Sequence, residues 1–257
     1  MEKPFYQNSA VTIITRMISS KREIGHIKAD SKNRRVSRTG KLLCWLFVDL
    51  VVAAVIFGLL LHKPGGYDPT DFDSAGYEPG QVSPYLTHEL SPQIYNGAQR
   101  GQPFVVVITQ KGINEVVAGW GWPKMSQGVM LYAPAVVFTP GSALLMATAS
   151  IKGAEFVVTI EIKPKIDEEG LLTFHVSKFK IGAMNVTPIA KLTAKKMYLQ
   201  RIANLPIDTE AVQTKIAESL LNDAPFEPVF KVDDRKVRID KITIGKAKMT
   251  AHLVPAS

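Results

Sequence analysis

The chain has 257 residues, a single cysteine and a formal charge of +8. One cysteine excludes an internal disulfide, so any outer domain must stabilise itself by burying apolar surface. Ten Lys/Arg against three acids place +7 of the charge in residues 1–41, and residues 63–257 hold only about +2, which removes nucleic acid from the expected partners.

Residues 1–41 read as a basic cytoplasmic tail whose one apolar patch lies at 11–20. Its stretch 28–38 is too polar to build a core. Two readings stay open for the tail: attraction to anionic head groups, or charges that only fix topology.

The run LLCWLFVDLVVAAVIFGLLL at 42–61 carries one charge, Asp49. Twenty residues is the length that crosses a bilayer core of ~30 Å. Fourteen of the twenty are Leu, Ile, Val or Phe. Their summed insertion energy, about −6 kcal/mol, exceeds the ~2.5–3.5 kcal/mol that Asp49 costs. Residues 42–62 are therefore expected to form a transmembrane helix, with the N-terminus cytoplasmic and the C-terminal part outside the plasma (inner) membrane. The exit, Leu-Leu-His-Lys-Pro-Gly-Gly, lacks a small-x-small cleavage site, which favours an uncleaved signal anchor. Asp49 is a candidate intramembrane contact to a homodimer mate or another membrane protein. A lone, tolerated Asp is the other reading.

Residues 63–100 are rich in Pro, Gly and acids and predict a stalk that spaces the domain from the membrane. Ser91-Pro92 marks the start of a short helix within it. Tyr67, Phe72, Tyr77, Tyr85 and Tyr95 suggest that parts pack onto the domain.

Residues 101–257 predict one extracytoplasmic α+β domain. Residues 103–109 (PFVVVIT) read as a buried strand, and Thr109 caps a helix with Ile113, Val116, Val117 and Trp120 on one face. Strands are expected at 130–138, 143–151, 155–162 and 171–181, forming an antiparallel meander. Phe156, Val158, Ile160 and Ile162 alternate against Glu155, Thr159, Glu161 and Lys163. The apolar phase of the last strand slips between Val176 and Phe179, which predicts a bulge near Ser177-Lys178. A helix starts at Thr187-Pro188 with Ile189, Leu192, Leu199, Ile202 and Leu205 on one face and Lys191, Lys195, Lys196 and Arg201 on the other. Asp208 or Thr209 caps a second helix with Val212, Ile216 and Leu220 inward, and strands at 226–231, 236–244 and 246–254 close the chain.

Five scattered histidines give no metal-ligand spacing, and no nucleophile elbow or phosphate loop is present. The expectation is therefore no catalytic set, no cofactor, no metal site and no enzyme.

The run VVVITQKGIN at 105–114, the meander at 136–181 with its KIGAM exit, the helix from Thr187 and the closing hairpin at 239–253 resemble the bacterial membrane-anchored YpmS-type proteins. Those are related in form to tubular lipid-binding (TULIP) domains, and the resemblance covers about residues 103–254. Gly112-Ile113 departs from it where a longer residue before Leu is expected. The resemblance implies a single N-terminal transmembrane helix, then a curled antiparallel sheet packed on one long and one or two short helices around an apolar groove. Candidate groove residues are Met130, Met146, Phe156, Phe174, Ile189, Met197 and Met249. The methionines suit a deformable apolar space, although they equally suit a solid core. Trp120 and Trp122, on a Gly-rich loop, are candidates for the groove mouth or a membrane contact; packed loop anchors are the alternative. The implied function is an envelope protein that binds or shields a lipid or other apolar ligand. The alternative is a structural or assembly factor that holds a protein partner through a sheet edge or the transmembrane helix.

Overall fold

The computed structural model describes residues 38–69, 82–126, 128–202 and 212–256. The tail up to residue 37, the middle of the acidic stretch with Phe72 and Tyr77, the side chains of Met197, Leu199 and Ile202, Leu205, and the Asp208/Thr209 cap lie outside the described residues. Two units are distinguished, Met1–Asp49 and Leu50–Ser257. Of the first, only the start of helix α1 (Arg38–Leu60) is described. Its stretch Gly40–Leu60 is long and apolar enough to cross a membrane, and none of it is buried.

The second unit is α+β, with two antiparallel sheets. After α1, a π-helical turn (Tyr85–Leu90) runs directly into α2 (Ser91–Gln99). Strand β1 (Phe104–Thr109) leads into α3 (Gln110–Ala118). The meander follows as β2 (Lys124–Ser126), β3 (Val129–Thr139), β4 (Ser142–Ile151), β5 (Ala154–Ile166), β6 (Leu172–Ile181) and β7 (Met184–Asn185). Then come α4 (Thr187–Ile202), α5 (Val212–Asn222), β8 (Val229–Val232), β9 (Arg235–Ile244) and β10 (Lys248–Ala256). One sheet has the order β1-β10-β9-β8, and the other runs β2 through β7 in sequence.

The strand preceding α3 therefore does not join the meander. It pairs with β10, Phe104 opposite Leu253 and Thr109 opposite Lys248. Nor is it buried on both faces: Val106 is buried, but Val105 and Val107 are 49% and 37% exposed. An antiparallel sheet can bury one face and leave the other to water, so the continuous valine run over-states the burial of β1.

The expected stalk is also revised. Tyr85, Leu90 and Ala98 form the first core with Val106, Val237, Ala251 and Leu253. Ser83 Oγ donates to Glu115 Oε1 at 2.7 Å, and the Tyr85 N–H donates to the same oxygen at 2.9 Å. The Tyr85 ring lies so close to Gly112 that a Cβ there would sit 2.4 Å from it. Gly112 thus makes room for a residue from the expected stalk. Prolines did not prevent a helix because Pro84 and Pro92 stand near the starts of their helical segments, where a missing N–H costs little.

Closer to α1, Tyr67 is buried against Ala135, Met146 and Val157. Its hydroxyl donates to Ala133 O at 2.7 Å and lies 3.0 Å from Thr148 Oγ1. Burial raises the Tyr67 pKa against the opposing pull of Thr148, so the hydroxyl stays protonated as the donor. The Ala183 N–H donates to Leu59 O at 2.8 Å, which occupies one of the carbonyls left open at the helix end. Gly182, at φ +59°, lies where a Cβ would come 2.3 Å from Leu60 O. Backbone meets backbone there, and only glycine fits.

The predicted bulge is present. Glu161 pairs with Lys178 and Ile162 with Val176, leaving Ser177 as the extra residue.

Candidate functional site

One face of the six-stranded sheet is built wholly of carbon. Strand alternation points Val136 and Phe138 from β3, Ala143, Leu145 and Ala147 from β4, and Val158, Ile160 and Ile162 from β5 to the same side. Phe174 of β6 continues the surface past the bulge. Ile113 and Val117 of α3, Ile216 and Leu220 of α5, and Ile244 and Met249 of the other sheet enclose it. The result is a groove of about 540 Å³ in which every lining residue is apolar. Small side chains make the room: Ala143 and Ala147 flank Leu145 on β4, where larger residues would meet the helices.

The Trp122 indole in the groove lining already has its partner. Trp122 Nε1 donates to Val117 O at 2.8 Å, and the Lys124 ammonium sits 5.2 Å over the Trp122 ring. Trp120, also in the lining, is 60% exposed.

Side chains also occupy the sheet edges. Asn114 accepts from the Val136 N–H at 2.5 Å and donates to Val136 O at 2.9 Å, while Gln110 Oε1 accepts from the Phe138 N–H at 2.8 Å. Helix α3 thereby covers the part of β3 that three-residue β2 does not reach. On β6, the Phe174 N–H donates to Ser219 Oγ at 2.7 Å, and Leu172 exchanges both backbone bonds with Phe226. On β1, the Thr109 N–H donates to Tyr85 Oη at 3.1 Å and the Val107 N–H to Gln93 Oε1 at 3.4 Å.

No protein-family model matches the chain, and no curated protein or solved structure does. The site must be judged on its own geometry.

Of the residues singled out from sequence, Met146, Phe174, Met249, Trp120 and Trp122 lie in the groove lining. Met146 also joins the Tyr67 cluster. Met130, Phe156 and Ile189 are not in the lining. Met130 pairs with Ser150 before an irregularity between Tyr132 and Ala135, and neighbouring Leu131 takes the inward place. Phe156 pairs with Ala149, beyond the part of β5 that lines the groove. Ile189 and Leu192 are 70% and 73% exposed, so the expected inward face of α4 points to solvent at its start. The reason is electrostatic as well as geometric. Lys191, expected outside, is drawn to Asp223 at 3.2 Å, while Asn185 Oδ1 accepts from the Thr187 N–H at 3.1 Å and fixes the helix start. Asp49 is exposed along α1. Sequence reasoning missed Ala143, Ala147 and Pro164 as lining residues. Smallness on alternate positions of β4 was the available signal.

Two polar clusters lie outside the groove. His175 Nδ1 sits 2.8 Å from Asp223 Oδ1, joining β6, α4 and the end of α5 through one carboxylate. Burial acts to raise the Asp223 pKa, but His175 and Lys191 outweigh it and hold the carboxyl below its ordinary value. On the sheet face away from the groove, Glu161 meets Lys178 at 3.1 Å and Lys163 at 3.4 Å. There too burial acts upward and the two lysines win, lowering the Glu161 pKa. Among the described residues, no group of three His, Cys, Asp or Glu is placed to hold a metal ion.

Proposed function

We propose that the chain is a single-pass, membrane-anchored envelope protein whose outer domain holds or shields a lipid or other apolar ligand, without catalysis. The observation that carries this is the wholly apolar groove of about 540 Å³, a volume within the ~300–1,000 Å³ of ligand sites. Sealed and empty, a void of 540 Å³ would cost roughly 13 kcal/mol at ~24 cal/mol per Å³, as much as a whole domain's stability. Such a space is instead open or filled, and water finds no polar partner in it. An acyl chain entering it gains ~0.8 kcal/mol per buried CH₂. In this reading the basic flank keeps the N-terminus cytoplasmic, α1 is the anchor, and the six-stranded sheet curls about the ligand as in the TULIP-like form that the sequence resembles. Trp120 stands at the mouth.

The occupied edges favour this over the rival, a partner-holding assembly factor. A partner strand needs free backbone, and β1, β3 and β6 spend theirs on Tyr85, Gln93, Asn114, Gln110, Ser219 and Phe226.

The test is photolabelling of the full chain in lipid nanodiscs with a diazirine-bearing fatty acid, the crosslinks being mapped by peptide mass spectrometry. The full chain is needed because residues 83–98 contribute to the first core. Crosslinks should concentrate at Leu145, Ile160, Phe174 and Met249 and disappear in Ala147→Phe, which fills the groove. Labelling confined to α1, or unchanged by Ala147→Phe and by Ile160→Asn, would sink the ligand reading.

A further inference from the structure

The other face of the six-stranded sheet carries a second cavity, of about 410 Å³, whose lining mixes Leu144 and Met146 with charged and hydroxyl side chains. His62, Pro64 and Gly65, the first residues after α1, form one side, and Gly182 and Ala183 form another. Its sheet side presents Thr159, Glu161, Lys178 and Lys180. The β5–β6 register creates that set, placing Lys180 opposite Thr159 and Lys178 opposite Glu161.

The charges are unequally spent. Glu161 is neutralised twice, by Lys178 and by Lys163. Lys180 is half-buried and meets no acidic partner among the described residues. Beside it, Thr159 is 93% buried and its Oγ1 has no hydrogen-bond partner. A buried hydroxyl without a partner is uncommon enough to need an explanation. The unspent groups are an ammonium and a hydroxyl, and with His62 they call for an anionic ligand rich in acceptor oxygens. The location narrows the source. Leu59 O is bonded to Ala183, which lines this cavity, so the cavity opens within a few residues of the end of the apolar helix.

We propose that this cavity binds the phosphate of an anionic phospholipid headgroup, one with no cationic group to oppose Lys180, with Lys180 supplying the charge and Thr159 a hydrogen bond. The inference rests on α1 crossing a membrane; it is independent of what fills the groove. A headgroup bound here places its phosphate at the height where the chain leaves the bilayer. The same contacts would accept a free phosphate, and the experiment separates the two.

The full chain, held in nanodiscs of mixed phosphatidylcholine and phosphatidylglycerol, is released for native mass spectrometry and its retained lipids are counted. Wild type should keep phosphatidylglycerol in preference to phosphatidylcholine. Lys180→Ala should lower that retention about tenfold, the loss expected for one charge-assisted contact. Lys180→Arg should restore much of it. Thr159→Val, an isostere that removes only the orphaned hydroxyl, should fold as wild type and retain less lipid. Lys241→Ala, on an exposed position of β9, should change nothing. Equal retention of both lipids, or retention unaffected by Lys180→Ala and Thr159→Val, overturns the proposal. Binding of inorganic phosphate without phosphatidylglycerol enrichment overturns the headgroup assignment and leaves a soluble-anion site. Ala147→Phe should leave headgroup retention intact, so a failure of the groove reading would not be mistaken for a failure here.

Discussion

The two faces of the six-stranded sheet share every backbone atom and differ in everything else. Toward the groove, β4 and β5 present Ala143, Leu145, Ala147, Val158, Ile160 and Ile162, and the space beyond them is open. Toward the other side they present Met146, Thr148, Val157, Thr159 and Glu161, and the segment after α1 lies across them with Tyr67 buried. A period of two is enough to write two unrelated surfaces into one pair of strands. The apolar face has no hydrogen-bonding group, so hydrocarbon can cover it without stranding a polar atom. The other face mixes apolar and polar groups, and the segment after α1 answers both, the Tyr67 ring packing on Met146 and Val157 and its hydroxyl meeting Thr148.

If one face is a site and the other a joint, changes on each should move different observables. The largest effect is expected from Ala147→Phe, which should abolish fatty-acid labelling of the groove while leaving the melting temperature unchanged or slightly raised, because it fills space. A large drop in melting temperature there would mean that the groove is part of a solid core. Next, Gly182→Val puts a Cβ where Leu60 O lies 2.3 Å away, at φ +59°. Destabilisation of about 2–4 kcal/mol is expected in chemical denaturation, with labelling of the groove retained. Tyr67→Phe removes the bonds to Ala133 O and Thr148. It should cost about 1–3 kcal/mol for the buried groups left without partners, again without touching the groove.

The smallest effect is a pH dependence. Glu161 and Asp223 both have lowered pKa values. A depressed carboxylate contributes stability that is full above its unfolded pKa, about 4, and is lost as pH falls through the lower folded value. The melting temperature should therefore hold from neutral pH to about 5 and fall below about 4. Glu161→Gln with Asp223→Asn should flatten that fall. Since Asp223 is 41% exposed, most of the change should follow Glu161.

Much of this architecture could be read from local pattern. The meander, the Thr109 cap, the hairpin at residues 167–170 and the bulge at Ser177 all depend on residues close in sequence, where turn chemistry and alternation decide. What escaped was set by distant partners. Nothing near Ile189 indicates that Asp223, thirty-four residues on, would turn Lys191 inward. Nothing near Pro84 indicates that Tyr85 would lie on Gly112. The groove shows both sides of this. Its aromatic and sulfur-bearing members Phe174 and Met249 stood out by size, while its space comes from alanines, which leave little trace in a hydropathy pattern.

Ser177 marks the point where the side-chain phase of β6 changes number. Before it, even-numbered residues of β6 face the groove, as Phe174 does; after it the odd-numbered Phe179 and Ile181 take that phase. Deleting this one residue would bring Val176 next to Lys178, opposite the neighbours Ile162 and Glu161, in plain antiparallel register. Every side chain of β6 would keep its face, and only the local bend and extra twist of the bulge would be lost. The serine is thus a bend built into a wall whose two faces do not depend on it, and its Oγ secures that bend by donating to Glu161 O at 3.3 Å.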